Sequence, residues 1–134
     1  MSTYKSNVYL SGKMWKLILL LLIIFSSNAF AQPANDDPCN ATPLTVGANC
    51  NFTNATNQNA TNSPGVPNPG CASYLGSDVW FSVTVPASGS IDFDSDFAGM
   101  FDGGMAIYSG TCSSLTLLSC DDDGSTNGLM PALT

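Results

Sequence analysis

The sequence predicts an all-β protein, and three observations support that fold class. Apolar and polar residues alternate in several short runs, with the period of two that places one set of side chains on each face of a strand. Turn-forming Gly, Pro and Asp residues separate these runs at intervals of about ten residues. No run beyond the N-terminal leader has the period of an amphipathic helix. These features favour an antiparallel β-sandwich of jelly-roll type, which we expect to be truncated because the last apolar run has no partner strand.

Residues 1–31 are predicted to be a secretory signal peptide. Three lysines precede or adjoin the apolar run Leu17–Phe25, and Ala29–Ala31 fits the small-x-small pattern of a cleavage site. The run is too short to cross a membrane, which takes about 20 residues. We therefore expect a mature chain that begins at Gln32, is secreted or displayed at the cell surface, and does not insert into a membrane. An uncleaved signal anchor and a start at Met14 rather than Met1 are the alternatives.

The mature chain is predicted to be strongly acidic. All three Lys lie in the leader, so the formal net charge of −7 becomes −10 for residues 32–134, and every acid is an Asp. Such a chain repels phosphate, which excludes nucleic acid as a partner. It also has no His, Lys or Glu to act as a base beside a nucleophile, so we expect no catalysis. Two Asp can serve as a glycosidase pair, but nothing in the sequence marks such a pair.

The segment Asp78–Asp94 is predicted to be the central β-hairpin. Val79–Val85 and Ser90–Asp94 both alternate as strands do. Pro86–Gly89 lies between them and supplies the turn, because Pro lacks an N–H and Gly tolerates turn dihedral angles. The hairpin has an apolar face that needs a partner layer.

The remaining strands are expected before and after this hairpin. Ala41–Val46 is predicted to be an edge strand, where a proline is tolerated. Residues 50–70 are rich in Asn, Thr, Pro and Gly and are predicted to be a long polar loop, with a short strand around residues 51–53. Further strands are predicted at Met105–Ser109, Leu115–Ser119 and Leu129–Leu133.

Five cysteines follow the leader, so disulfides are expected in an oxidising compartment. Two pairs can be drawn from five in several ways, and the sequence does not choose among them. We favour Cys112–Cys120, which brackets a strand, and Cys39–Cys50, because each closes a short loop. Cys71 is then left over. A zinc site is disfavoured because the chain has no His and no CxxC spacing.

The acidic turns predict a calcium site. Ca²⁺ takes six to eight oxygen ligands from carboxylates, amides and backbone carbonyls, which Asp-rich turns supply. The strongest cluster is Asp121, Asp122 and Asp123, followed by Gly124. A surface with no cation of its own also favours divalent cations from the medium. A solvated turn is the alternative for each of these residues.

A sugar-binding role is the second hypothesis for a site. Trp80 and Tyr108 lie on the polar-alternating faces of their predicted strands, where exposed aromatic rings can stack on sugars. The alternative is that these rings pack in the second layer of the sandwich.

Four segments of the mature chain carry a family resemblance: NDDPC at 35–39, DVWFSVTVPASGSI at 78–91, GGMAIYSGTC at 103–112 and LTLLSCDDDGSTNGLMP at 115–131. As a set they resemble β-sandwich modules of large secreted bacterial proteins, often exported by the type IX route, and are similar in pattern to the pre-peptidase C-terminal domain. The resemblance implies a jelly-roll-like sandwich accessory to a protease, glycosidase or adhesin, sometimes with bound Ca²⁺. It also implies that Asp36 and Asp37 pack beside the Asp121–Asp123 turn.

The expected function is that of a non-catalytic accessory or adhesion module of a larger secreted or surface protein, with calcium as a stabilising ion. Its partners are then the rest of a larger polypeptide, a carbohydrate or a cell-surface protein. Two alternatives stay open. The chain can be the N-terminal fragment of a secreted protease or glycosidase whose catalytic domain lies elsewhere, or it can be a carbohydrate-binding module.

Overall fold

The computed structural model describes residues 31–134, which form an all-β chain, as predicted. Its only helical element is a single 3-10 turn at Pro38–Asn40. The strands are, in chain order, β1 (Thr42–Pro43), β2 (Phe81–Ser82), β3 (Phe93–Asp94), β4 (Met105–Thr111), β5 (Ser114–Asp121) and β6 (Ala132–Leu133). None of the described residues belongs to a helix long and apolar enough to cross a bilayer. The predicted signal peptide lies outside the described residues, apart from Ala31.

The longest element is the antiparallel hairpin of β4 and β5. Its register runs from Met105 opposite Asp121 to Thr111 opposite Ser114, and Cys112 and Ser113 form the turn. The pairing shifts by one residue between Ile107 and Tyr108, so Leu118 has no opposite partner in β4. The predicted strands over residues 105–109 and 115–119 are therefore confirmed, and both are longer than expected.

The predicted hairpin over Asp78–Asp94 is wrong. Its turn forms, since the Gly89 amide donates to the Pro86 carbonyl at 2.9 Å, but the flanking strands do not pair with each other. β2 pairs in parallel with β1, and β3 pairs antiparallel with β6, to which the strand predicted at Leu129–Leu133 is reduced. The last apolar run therefore has a partner strand, contrary to the expectation. Alternation fixes which side chains share a face, but it does not identify the neighbouring strand.

The strand around Trp80 pairs with the segment of residues 35–43, and not with β3 as the hairpin prediction required. The Trp80 amide donates to the Asn35 carbonyl at 2.8 Å, and the Thr42 amide donates to the Trp80 carbonyl at 3.0 Å. The predicted edge strand over Ala41–Val46 is reduced to β1, and residues 50–70 contain neither a strand nor a helix. The polar loop over residues 50–70 is thus confirmed as irregular, and the short strand predicted around residues 51–53 is absent.

The predicted disulfide pairing is also wrong. The structure pairs Cys39 with Cys112 and Cys71 with Cys120, with Cα–Cα distances of 4.9 and 6.2 Å. Cys50 is exposed and has no disulfide partner among residues 31–134. A Cys112–Cys120 bond is geometrically excluded because the six extended residues 114–119 of β5 lie between the two cysteines and separate them by about 20 Å. A disulfide bridges Cα atoms only up to about 7 Å apart.

The apolar core of the described chain is very small. Met130, with 5% of its surface exposed, is its only buried hydrophobic side chain. Several large hydrophobic side chains lie on the surface instead, among them Leu75 at 97% exposure, Phe101 at 71% and Leu118 at 62%. The strands form three separate two-stranded sheets. Residues 31–134 therefore show the strands of an all-β fold without the buried layer between sheets that defines a sandwich.

Candidate functional site

Asp78 lies at the centre of a cluster of partly buried polar side chains that are joined by hydrogen bonds. The Asp78 carboxylate accepts hydrogen bonds from Ser63 Oγ at 2.6 Å, Tyr74 Oη at 2.7 Å and Trp80 Nε1 at 2.7 Å. Burial alone would raise the pKa of Asp78, but these hydrogen bonds outweigh it and hold the pKa below its ordinary value. Burial and the neighbouring Asp78 carboxylate raise the pKa of Tyr74 far above the ordinary value of a tyrosine. The cluster is thus built around one ionised carboxylate and neutral donors.

The long polar loop is fastened to this cluster by short hydrogen bonds. Ser63, a loop residue that is only 8% exposed, donates from its Oγ to the Asp78 carboxylate. Asp36 accepts from both the amide and the hydroxyl of Thr61, each at 2.6 Å. The loop therefore has defined contacts even though it contains no regular secondary structure.

Trp80 and Tyr108, the predicted sugar-stacking pair, lie beside each other. Their ring centroids are 5.4 Å apart, and both residues are half-buried. Trp80 Nε1 donates to Asp78, and Tyr108 Oη donates to the Pro67 carbonyl at 2.7 Å. The polar atom of each ring is therefore engaged within the chain, which favours a packing role for both rings.

The structure brings together a set of acidic residues that differs from the predicted calcium site. Carboxylate oxygens of Asp102, Asp122 and Asp123 all lie within 4.8 Å of one another. Asp102 was not predicted, although the register that places Met105 opposite Asp121 also brings the residues before β4 close to those after β5. Burial and the neighbouring carboxylates raise the pKa of Asp122. Three like charges converge here, which is the arrangement that a divalent cation would relieve.

The other predicted calcium ligands have different partners. Asp121 accepts from the amides of Gly124 at 2.7 Å and Ala132 at 2.9 Å, and these bonds lower its pKa. Asp37 caps the 3-10 turn by accepting from the Cys39 amide at 2.8 Å. Asp36 holds Thr61. The expected set of Asp121, Asp122, Asp123, Asp36 and Asp37 is therefore not brought together, because three of its members satisfy local backbone or side-chain donors.

A cavity of about 270 Å³ lies where three loops meet. It is lined by residues of the segments 94–96 and 125–127 and by Phe52 of the polar loop. This site was not predicted from the sequence, because its residues come from three separate segments and no motif connects them. The only signal was compositional, in that Asp, Ser, Thr and Asn are abundant in the two turns.

A second cavity of about 270 Å³ adjoins the Cys39–Cys112 disulfide, with Pro64 and Leu115 among its lining residues. Apolar and small polar side chains of the β4–β5 turn and the polar loop form its walls. No charged group other than Asp37 lines it, so it offers little chemistry.

The chain matches no protein-family model, no curated protein and no solved structure. Any function is therefore proposed from the residues and geometry described above.

Proposed function

We propose that this chain is a non-catalytic accessory module that packs against the rest of a larger extracellular polypeptide. The observation that carries the proposal is the small core. A single hydrophobic side chain is buried among residues 31–134, while Leu75, Phe101 and Leu118 are more than half exposed. So small a core stabilises the chain only weakly, and burying these exposed side chains against a larger polypeptide would stabilise it further.

The proposed architecture is a β-sandwich completed by that larger polypeptide. A lone two-stranded hairpin is marginally stable in water, and three or more strands with a hydrophobic face are needed for independent stability. The three two-stranded sheets therefore fit a sandwich whose remaining strands come from outside the described residues. The similarity of the WFSVTVPASG and IYSG segments to the pre-peptidase C-terminal domain supports the same architecture.

The proposed compartment is extracellular. Two disulfides join distant parts of the chain, and such bonds persist in oxidising surroundings. The predicted leader supports secretion independently. A surface that carries ten aspartates and no cationic side chain after residue 31 keeps such a module away from nucleic acid and anionic lipid.

The test is the size and surface of the secreted species. An antibody against the polar loop, applied to native culture supernatant and surface fractions, is expected to detect a polypeptide well above 13.9 kDa in reducing gels. Separately expressed residues 32–134 are expected to bind the dye ANS strongly, and Phe101→Ser with Leu118→Ser should lower that signal. The matched control is Thr116→Ser with Ser119→Thr, which alters two exposed positions of β5 and leaves the total apolar area nearly unchanged.

One result would overturn the proposal. A secreted species of the size of residues 32–134 that is monomeric and binds no ANS would show that the apolar surface is covered within the chain itself.

A further inference from the structure

We propose that the cavity between the turns at 94–96 and 125–127 binds a neutral sugar ring. The inference rests on the proposed non-catalytic role and adds a ligand class to it. The site is formed by hydrogen-bonding groups on two turns and by one aromatic ring on the polar loop. It is separate from Trp80 and Tyr108.

The floor of the cavity is preformed by hydrogen bonds between the two turns. The Ser95 carbonyl accepts from Ser125 Oγ at 3.1 Å and from Asn127 Nδ2 at 3.2 Å. Ser95 Oγ donates to the Pro131 carbonyl at 2.6 Å. Ser125 is only 7% exposed, so this junction is internal. A ligand entering the cavity therefore meets a fixed framework and loses little affinity to loop ordering.

The cavity presents hydrogen-bond acceptors that the chain itself does not use. Asp94 Oδ1 accepts from the Ser95 amide at 2.9 Å, and Asp96 Oδ1 accepts from the Phe97 amide at 2.8 Å. Within residues 31–134, the second oxygen of each carboxylate and the hydroxyl of Thr126 make no hydrogen bond. Two carboxylate oxygens and one hydroxyl suit the neighbouring hydroxyl groups of a sugar, which donate hydrogen bonds to carboxylates.

Phe52 supplies the apolar component of the site. It is the only aromatic residue in the polar loop, and 57% of its surface is exposed although it lines the cavity. An aromatic face beside polar acceptors is complementary to a pyranose ring, which has an apolar C–H face and polar edges. The exposed surface of this ring is therefore available to a ligand in the cavity.

Charge and size narrow the ligand class. The two aspartates repel phosphate and other anions. The three carboxylates in the described chain that lie close enough together to hold a metal ion are those of Asp102, Asp122 and Asp123. None of these residues lines the cavity. Its volume of about 270 Å³ lies just below the roughly 300–1,000 Å³ of sites for drug-sized ligands, which suits a single ring rather than a long segment of an oligosaccharide.

The experiment is saturation-transfer NMR on the full secreted chain. The probes are methyl β-glucoside, methyl β-galactoside and methyl α-mannoside at millimolar concentration, each with and without EDTA. We expect a transfer signal from at least one glycoside in both conditions. Phe52→Ala and Asp96→Asn should each weaken binding at least about tenfold. Asn retains the Oδ1 acceptor for the Phe97 amide, so the Asp96 variant should keep the turn intact.

The matched controls are Phe101→Ala and Asp92→Asn, which remove an exposed phenylalanine and an exposed carboxylate outside the cavity. Both should bind as the unaltered chain does. Thr126→Val provides a third cavity variant of nearly equal shape, and a one-dimensional proton spectrum checks that each variant folds.

Three outcomes would overturn the inference: no signal from any probe, a signal that survives the Phe52, Asp96 and Thr126 variants, or a signal that EDTA abolishes. Failure of sugar binding leaves the proposed accessory role standing. Hydrolysis of a bound glycoside would have the opposite meaning, since it would support the site and refute the non-catalytic role.

Discussion

At the scale of single residues, Asp78 accepts more side-chain hydrogen bonds than any other residue among 31–134. It receives three side-chain hydrogen bonds from residues that precede and follow it by up to 15 positions. Only the Trp80 contact is close enough in sequence to be foreseen from strand geometry. The Tyr74 contact depends on the turn in which the Tyr74 amide donates to the Cys71 carbonyl. The Ser63 contact depends on how the polar loop folds back, and no periodic pattern in that loop indicates its path.

Asp78→Asn is expected to lower the free energy of unfolding by about 1–2 kcal/mol at pH 7, because a neutral amide accepts these hydrogen bonds more weakly and places an NH₂ group among donors. The loss is at the lower end for charge-assisted bonds, since the carboxylate is partly exposed and solvent screens it. Urea unfolding curves measure it. Asp92→Asn, an exposed control, should change stability by less than about 0.5 kcal/mol, and equal losses in the two variants would contradict the prediction.

Lowering the pH should remove the stabilisation that the Asp78 carboxylate contributes to the folded chain. The pKa of Asp78 is lower in the folded chain than its ordinary value. The unfolded chain therefore binds a proton first as the pH falls, and the stabilisation present above about pH 4 is lost as the pH drops through the folded pKa. Urea midpoints between pH 6 and pH 2.5 should fall less steeply for Asp78→Asn than for the unaltered chain. Parallel curves would show that Asp78 does not couple protonation to folding.

At the scale of elements, the strands with strong apolar–polar alternation could be predicted from the sequence, but the strands with which they pair could not. β4 and β5 were predictable because both runs are apolar-alternating and a two-residue turn joins them. β1 and β6 contain only two residues each, and their pairing depends on tertiary contacts rather than on local preference. The parallel partnership of β1 with β2 links positions about 40 residues apart, for which a strand pattern contains no information.

The two disulfides are expected to be the strongest constraints on these elements. The Cys39–Cys112 and Cys71–Cys120 bonds close segments with sequence separations of 73 and 49. In the chain-entropy model each contributes about 4 kcal/mol. Cys71→Ser with Cys120→Ser should therefore lower the thermal midpoint substantially, whereas Cys50→Ser should leave it unchanged. Non-reducing peptide mapping that instead finds Cys112 joined to Cys120 would contradict this pairing.

The calcium prediction can be tested at the three acidic residues beside the open end of the β4–β5 hairpin. If Ca²⁺ binds at Asp102, Asp122 and Asp123, saturating Ca²⁺ should raise the melting temperature by roughly 5 °C or more over the value in chelator. Asp122→Asn should abolish the difference, and Asp92→Asn should preserve it. Differential scanning calorimetry provides the measurement, and equal melting temperatures with Ca²⁺ and with chelator would refute calcium binding.

At the scale of the whole molecule, pattern and composition predicted the fold class and the presence of disulfides but not the location of a site. Fold class followed from alternation and turn residues, and the presence of disulfides followed from the cysteine count in a chain with a predicted leader. The location of the candidate sugar site did not follow, because it depends on a loop, Phe52 included, whose course is set by hydrogen bonds to distant residues. The acidic cluster was half-predicted, since its Asp122 and Asp123 are adjacent in sequence and Asp102 joins them only through the hairpin.

The order of the cysteines in the two disulfides has a consequence for proteolysis. Because the bonds alternate along the chain, with Cys71 inside the first loop and Cys120 beyond its end, the two closed segments overlap. A single peptide-bond cleavage anywhere between residues 40 and 119 therefore leaves both pieces covalently joined. Residues 32–134 also contain no Lys or Arg, so trypsin-like proteases have no site there. A module of this kind can be nicked in protease-rich surroundings and still stay in one piece.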